Sequence, residues 1–487
     1  MMIKSTKKKC DICIIGAGPA ALATLSAIHE PYTLDSMTPT QVNSASESLR
    51  SNKNNKGVGP SMKKVCVVDP SGEWLGKWND NFDRLGIEYL RSPALAHPDH
   101  FDINSLLAYA VANNREDELV ESGCAQIRKL FGLGQTQVGL WKLPSTRLFC
   151  DFCSHLAKQL KHDFVKGMAV DLTRNDDDDD DDQDYDNGMN TSYTVTLADG
   201  SEIICTSVVL ALGPTGTPVT PSKLCSVPKD RLIQWPQMKE HLKSHHKRVL
   251  VVGGGLTAVQ VAQYCLRSGR KVVLCSRRPL VERHFDIDTC WFDKRSANLQ
   301  ISEFYHQSEA ERLTALKEVR GGGSVPPIYM NDVRKWQASG ELSVLDGVEP
   351  EYMESTADGR VVVGMGEDEM TFDFIILACG IKPDCTANQL VQSYQKKCPL
   401  KMVGGFPSIS VDLEWSKNLF VAGALASLNV GPDSGNIMGA RRAASIVANA
   451  LECKAWLRDS DNRGALSNRY DQLFWDEEDS SDDSDSD

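Results

Sequence analysis

Apolar positions along this chain gather into short unbroken runs, and several of those runs end directly on glycine. Residues 11–15 (DICII) form the first, which predicts a buried strand. Residues 18–29, rich in Ala and Leu, predict a helix. Residues 31–62 carry Ser, Asn, Lys and Thr with no periodicity and predict a surface insertion. Order resumes at 65–68 (VCVV), a second buried strand. Further on, Tyr193, Val195 and Leu197 alternate with polar residues, Asp199 and Gly200 supply a turn, and a strand over 207–212 ends at Gly213. Another strand–glycine unit begins at 248–255, with its helix over 256–268. An Asp-Gly pair at 358–359 marks a second hairpin. Strands at 372–378 and 419–422 follow, and then a helix over 435–451. Alternating strands and helices with two strand–glycine–helix units predict an α/β protein with doubly wound parallel sheets.

Composition narrows the classes of function. The 487 residues allow two or three domains, and 41% hydrophobic with 24% charged residues is ordinary for a globular protein. The formal net charge is −13, much of it in Asp176 to Asp182 and in the tail from Asp476 to Asp487. There is no basic footprint for nucleic acid. The fifteen cysteines lack a disulfide-framework spacing and read as reduced thiols. No run of about eighteen apolar residues predicts a transmembrane helix. Too little chain precedes Asp11 for a signal peptide, so a cytoplasmic location is expected. Lys7, Lys8 and Lys9 read as a solvated lead-in to the first strand.

The glycines at the strand ends carry the chemistry. Gly16, Gly18 and Ala21 spell GxGxxA after a strand and at the start of a helix, with Pro19 and Ala20 between. The first glycine makes the tight turn and the second lets backbone approach a pyrophosphate. The small third residue lets helix and strand pack, and the helix N-terminus attracts phosphate charge. Asp69 closes the second strand, where a ribose-binding carboxylate belongs. It stands 53 positions after Gly16, and with residues 31–61 set aside the spacing falls to 22, near the usual value of about 20. The bland alternative is a glycine turn without a ligand. Gly253, Gly255 and Ala258 repeat the pattern in VVGGGLTA. Here the second strand ends on Ser276, Arg277 and Arg278, with no acid. An acid would repel a 2′-phosphate, whereas arginine offers it a bidentate fork, so this unit reads as an NADPH site. The alternative is two solvated arginines. Two such units in one chain imply hydride transfer between FAD and a nicotinamide.

At this point the sequence resembles the flavoprotein monooxygenases with two Rossmann-like dinucleotide-binding domains. These include N-hydroxylating and flavin-containing monooxygenases and the oxidative-stress-induced growth inhibitor group, which it resembles most. The resemblance spans about 11–455. It rests on the two fingerprints and on VVLALGPTGTPVTP (208–221) and FDFIILACGIKP (372–383), which look like hinge crossings. It also rests on LFVAGALASLNVGPDSGNIMGARRAA (419–444), similar to a returning strand and helix facing the flavin, with Gly423, Gly431 and Asn436. GEWLGKWNDNFDRLGIEYLRSP (72–93), with Trp74 and Trp78, looks like a flavin loop. Ala424 stands where the family often has aspartate, and GGGSVPPIY (321–329) lacks the asparagine of the ornithine-binding stretch.

The resemblance implies an FAD-binding domain in two segments, 10–217 and 379–455, with an NADPH-binding domain, 246–378, inserted between them and residues 284–345 as a candidate substrate cap. The insertion at 31–62 and an acidic loop at 175–190 decorate the first segment. The implied reaction inserts one oxygen into a small nucleophilic substrate through a peroxyflavin, with FAD, NADPH and oxygen as participants and no catalytic side chain identified. Two alternatives stand beside it: an NADPH-dependent reductase or oxidase serving a quinone or oxygen, and a non-catalytic nucleotide-binding interaction protein.

Other signals point to packing rather than chemistry. Cys150 and Cys153 form a CxxC pair inside an apparent helix, away from both fingerprints, and read as core thiols. The clusters His97–Asp102 and His284–Asp288 match no metal-ligand spacing, and no metal site is expected. HFDID (284–288) suits a loop at the substrate cavity instead.

Ser480 and Ser484 each precede an acid by three residues, which resembles the target of an acidophilic kinase; the bland alternative is a solvated tail. The segment 476–487 has too few apolar groups to offset the entropy of ordering. Truncation after Leu473 is therefore expected to leave flavin content, the KM for NADPH and the melting temperature nearly unchanged. A melting shift of several degrees in a thermal scan would show that the tail docks.

Overall fold

The computed structural model describes residues 7–29, 63–124, 141–175, 191–224, 230–291, 294–356, 359–366 and 368–458. The insertion expected at 31–62, the aspartate run within 175–190 and the acidic tail at 476–487 lie outside the described residues.

The first unit opens on β1 (Lys7–Ile15), α1 (Pro19–His29) and β2 (Val65–Asp69). Strand β1 starts four residues earlier than the apolar run alone predicts. Its lysine lead-in continues the ladder against residues 202–204, and Lys7 and Lys8 pair with Glu202 and Asp163 at 3.1 and 3.2 Å. After α2 (Gly76–Leu85) and α3 (Thr146–Gln159) come β3 (Asp163–Lys166), β4 (Ala169–Asn175), β5 (Ser192–Leu197) and β6 (Glu202–Leu210). Strands β4 and β5 pair antiparallel from Ala169–Leu197 out to Asn175–Ser192.

The second unit holds β7 (Leu232–Gln234), β8 (Arg248–Val252), α4 (Leu256–Arg267) and β9 (Lys271–Ser276). Helices α5 (Lys294–Tyr305), α6 (Glu309–Arg320) and α7 (Pro327–Ala338) follow, then β10 (Leu342–Asp346) and β11 (Phe374–Leu377). The chain then returns to the first sheet through β12 (Glu414–Ser416) and β13 (Leu419–Val421) and ends its described part in α8 (Ile437–Arg458).

Two sheets result. The first is eight-stranded, in the order β12-β13-β6-β1-β2-β3, with β5 and β4 added along β6. The second is five-stranded, in the order β7-β11-β8-β9-β10, parallel throughout. Strands buried on both faces read as continuous apolar runs, and β8 and β11 do so. Each sheet has its own core. Ile14, Val67, Val209 and Phe420 sit in one; Val249, Val251, Val261 and Ile376 sit in the other. Alanines bring α1 and α8 together, with Ala23, Ala27, Ala444 and Ala448 in one buried cluster. Where the chain passes between the sheets, Gly216–Pro218 pairs antiparallel with Ile381–Pro383, so outward and return crossings lie side by side.

Two expectations need correction. The strand expected at 372–378 is two elements: Asp368–Phe372 belongs to a separate three-stranded meander, and β11 starts at Phe374. Asp373 makes the break, its carboxylate accepting the N–H groups of Lys247 and Arg248 at 2.7 and 2.8 Å. The candidate cap at 284–345 is also too long, because β10 pairs with β9 from Leu342 onward and is part of the second sheet. Among the described residues no helix is long and apolar enough to cross a membrane.

Candidate functional site

The two glycine loops are built by the same device. Gly16 follows β1 at φ 107° and donates its N–H to the carbonyl of Val68 at 2.8 Å. A Cβ there would lie 2.4 Å from the carbonyl oxygen of Ala211, just beyond β6. Gly253 follows β8 at φ 148° and donates to Cys275 at 2.9 Å; its Cβ would lie 2.3 Å from the carbonyl oxygen of Ala378, just beyond β11. In both places the neighbouring strand's last carbonyl occupies the side-chain position, so only glycine closes the turn. Ala21 and Ala258, both fully buried, seat α1 and α4 against their sheets.

The second glycines differ from the first. A Cβ on Gly18 would meet nothing within 4 Å, and one on Gly255 would come only as near as Gly323 Cα, at 4.0 Å. Gly18 faces open space and Gly255 stands beside Gly323, each next to a helix N-terminus, the setting in which backbone can approach a pyrophosphate. Pro19 opens α1, whose first turn holds no acid to repel a phosphate.

Asp69 at the end of β2 is held beside the first loop. One carboxylate oxygen accepts the Ala17 N–H at 3.0 Å, and the other accepts the N–H and the hydroxyl of Ser71. Leu75, at φ 61°, donates its N–H to the Ala17 carbonyl at 2.8 Å, which ties the following loop to the glycine turn. Of the two tryptophans in that loop, Trp74 donates its indole N–H to His162 at 3.1 Å and packs edge-on to Phe164. Trp78 stacks on Phe82 with centroids 3.6 Å apart. Both rings are engaged with protein partners.

At the second loop, Ser276 is buried and donates its hydroxyl to the Arg278 carbonyl at 2.7 Å. Arg277 is 79% exposed, with its guanidinium 3.8 Å from Glu349. Arg278 is half-buried and lies against Gly322. A cavity of about 730 Å³ opens over this loop, and Arg91, Gly255, Arg278, Asp286, Arg320 and Gly323 are among the residues around it.

The cavity's far wall joins the two units. Arg91, from the first unit, donates to the carbonyls of Arg283, His284 and Ser324 and to the Ser324 hydroxyl at 2.8–3.2 Å. Burial pushes its pKa down to about 10. Asp286 accepts from the Asn436 side chain at 3.2 Å and lies 3.7 Å from the Arg320 guanidinium, which itself donates to the Pro432 carbonyl at 2.8 Å. Asn436 thus meets the second unit, one residue before α8. Gly423, at φ 71°, comes within 2.9 Å (as a Cβ) of Ala20 at the start of α1. Gly431, at φ 112°, lies against Trp291 instead, in an apolar cluster with Phe285 and Phe304.

Three participants have no role read from the sequence: Arg91, inside the 72–93 stretch, Arg320, and Gly322, inside the 321–329 stretch. Arg91 is a lone cation in an apolar loop, and Arg320 and Gly322 belong to a helix end. Only the run of three glycines at 321–323 gives a visible signal.

The thiol pair stands apart. Cys150 donates to Asn79 at 3.0 Å and burial pushes it up to about 12; Cys153 is fully buried and also raised. Such thiols stay protonated and make poor nucleophiles. In His97–Asp102 the ring of His97 bonds the Ile103 carbonyl, and Asp99 and Asp102 accept nearby backbone N–H groups. Among the described residues no three His, Cys, Asp or Glu side chains are grouped to hold a metal ion.

Residues 156–301, which reach from the first unit into the second, match the family model for pyridine nucleotide-disulphide oxidoreductases. The ornithine N-hydroxylase of Kutzneria sp. 744 superposes with a TM-score of 0.64 at 13% identity, covering 92% of this chain and 99% of that one. The ornithine hydroxylase of Pseudomonas aeruginosa gives 0.62 at 16%, covering 91% and 98%. The L-lysine 6-monooxygenase of Pseudomonas syringae gives 0.59 at 17%, covering 92% and 99%. No curated protein sequence matches the chain. The fold is the one shared by these enzymes, an α/β architecture with two Rossmann-like units.

Asp433, in the segment that meets the second unit, is 0% exposed and pairs with Arg442 through both oxygens at 3.0 and 2.9 Å. Burial raises its pKa despite that pair. Arg442→Met leaves the carboxylate buried without its paired guanidinium, an expected loss of about 3–5 kcal/mol at neutral pH. A carboxyl raised in the folded state costs stability only where it is ionised, so the deficit is full above the raised pKa and fades as pH falls toward the unfolded value of about 3.9. Melting curves of both proteins between neutral pH and about pH 5 should therefore converge. A deficit constant with pH would place the cost elsewhere.

Proposed function

We propose that this protein is an FAD- and NADPH-dependent monooxygenase that places one oxygen atom on a small nucleophilic substrate. FAD belongs at the first loop: Gly18 leaves the pyrophosphate approach open, α1 faces it with its N-terminus, and Asp69 stands ready for ribose hydroxyls. NADPH belongs at the second, with Gly255 at the pyrophosphate and Arg278 at the 2′-phosphate. The observation that carries the reading is the cavity itself. It starts on the second loop and ends at Asp286 and Arg320, which touch Asn436 and Pro432 of the segment returning to the first unit. A nicotinamide entering there is led toward the first unit's cofactor.

Bound FAD would supply the electron acceptance and the oxygen chemistry. The chain's own residues do the rest. Arg91 ties the two units together along the cavity wall and orients the loop at 283–284. Asn436 and Arg320 hold the Asp286 carboxylate at the cavity wall, where it can bind a cationic or hydrogen-bonding substrate. In the net reaction NADPH, oxygen, a proton and substrate give NADP+, water and the oxygenated substrate. The likeness to enzymes that hydroxylate ornithine and lysine supports an amine as the first substrate class to try. Protonated Cys150 and Cys153 give no support to disulfide reduction.

The test follows NADPH oxidation and product by mass spectrometry across amines, sulfides and ketones. At least one class is expected to give oxygenated product in step with NADPH consumed. Hydrogen peroxide or reduced quinone accounting for all the NADPH with every candidate would overturn the reading in favour of an oxidase or reductase. The cofactor assignment is checked separately by Gly18→Asp. Because no protein atom lies where the new side chain begins, the variant should fold, yet its charge meets the pyrophosphate. It is expected to purify soluble and flavin-poor; full yellow colour would rule out the first loop as the FAD site.

A further inference from the structure

Helix α6 ends in three successive glycines, Gly321, Gly322 and Gly323, at φ 56°, 80° and 101°. One left-handed residue after a helix suffices to end it, and Gly321 fills that role, donating its N–H to the Lys317 carbonyl at 3.0 Å. The other two call for a different cause, which lies across the cavity in the second glycine loop. A Cβ on Gly322 would stand 2.1 Å from one terminal nitrogen of Arg278 and 2.8 Å from the other. A Cβ on Gly323 would stand 3.3 Å from the Cα of Gly255. The triglycine turn is therefore pressed against the dinucleotide loop, and the Arg278 guanidinium fills the space that any side chain at position 322 would need.

Arg278 is held from the opposite side as well. The Ser276 hydroxyl anchors its carbonyl at 2.7 Å, and Gly254 makes room for that hydroxyl, since a Cβ there would be 2.2 Å from the oxygen. Among the described residues no carboxylate pairs with the Arg278 head, whereas Arg277 is turned toward Glu349. With its backbone anchored and its guanidinium donors uncommitted, Arg278 is prepared for a bidentate anion.

We infer that Gly322 is a specificity-determining residue for the nicotinamide cofactor: having no side chain, it lets Arg278 lie across the second dinucleotide site and read a 2′-phosphate. This rests on the NADPH reading of that site and adds a residue, distant in sequence, that acts through Arg278. Because the conflict is with the flexible end of an arginine, Gly322→Ala displaces the arginine rather than the backbone.

The test is calorimetric binding of 2′,5′-ADP and of ADP to the flavin-loaded protein, for wild type, Gly322→Ala, Arg278→Ala and the double variant. Gly321→Ala is the control for backbone strain, since its Cβ would meet nothing nearer than 3.6 Å. Gly322→Asn, which tolerates left-handed backbone, stands in if the alanine variant fails to fold. Wild type is expected to prefer 2′,5′-ADP by about tenfold or more, the worth of a charge-assisted phosphate contact. Gly322→Ala should lose most of that preference while ADP affinity stays nearly constant. Gly321→Ala should keep it, and the double variant should be no worse than Arg278→Ala. A Gly322 variant that keeps the full preference, or whose loss adds to that of Arg278→Ala, overturns the inference. A wild type that does not distinguish the two ligands overturns the NADPH reading itself.

Discussion

A backbone carbonyl sits where the first side-chain carbon would have to be on Gly16, and another does the same at Gly253. Each belongs to an alanine just past a central strand, Ala211 in LALG and Ala378 in LACG. With that space filled, the turn after β1 or β8 adopts one path, and the helix that follows starts at a fixed distance from the sheet edge. The second glycine of each loop is thereby left at the cofactor-facing edge, Gly18 in open space and Gly255 beside Gly323. Everything else follows from these two turns: α1 and α4 point their N-termini at the edge, Asp69 is brought under the first turn, and Ser276 under the second. An added methyl at Gly16 or Gly253 would push apart the very strands that make the loop.

The two turns would act separately if the units were not joined. Among the polar links that join them, three lie around one cavity: Arg91 to the loop at 283–284 and Ser324, Asp286 to Asn436, and Arg320 to Pro432. None is a strong ion pair. Arg91 has only neutral acceptors, and the nearest Arg320 to Asp286 approach is 3.7 Å. Such contacts fix orientation at modest cost.

Much of this is legible in the sequence, for a physical reason. A tight turn with a helix behind it requires glycines at set positions, and a buried parallel strand requires an unbroken apolar run, so both units can be read from residues 11–29 and 248–268. The insertion at 31–62 hides the spacing to Asp69 only until its composition is recognised. Contacts made through tertiary structure cannot be read this way. Arg91 finds its partners about 190–230 positions away, and nothing local marks it. Gly431 and the Trp74 and Trp78 rings are marked by their motifs, but their contacts with Trp291, His162 and Phe82 are not. The break at Asp373 was hidden for a similar reason: one aspartate between apolar residues interrupts a run only because Lys247 and Arg248 stand opposite it.

The central claim is that two dinucleotides meet between these units, one held by each glycine loop. Mixing the flavin-loaded protein with NADPH under anaerobic conditions in a stopped-flow spectrometer tests it most directly. The account predicts that the flavin's visible absorbance bleaches with NADPH, more slowly with NADH at the same concentration, and returns when air is admitted. A flavin that stays oxidised in the presence of NADPH would contradict it.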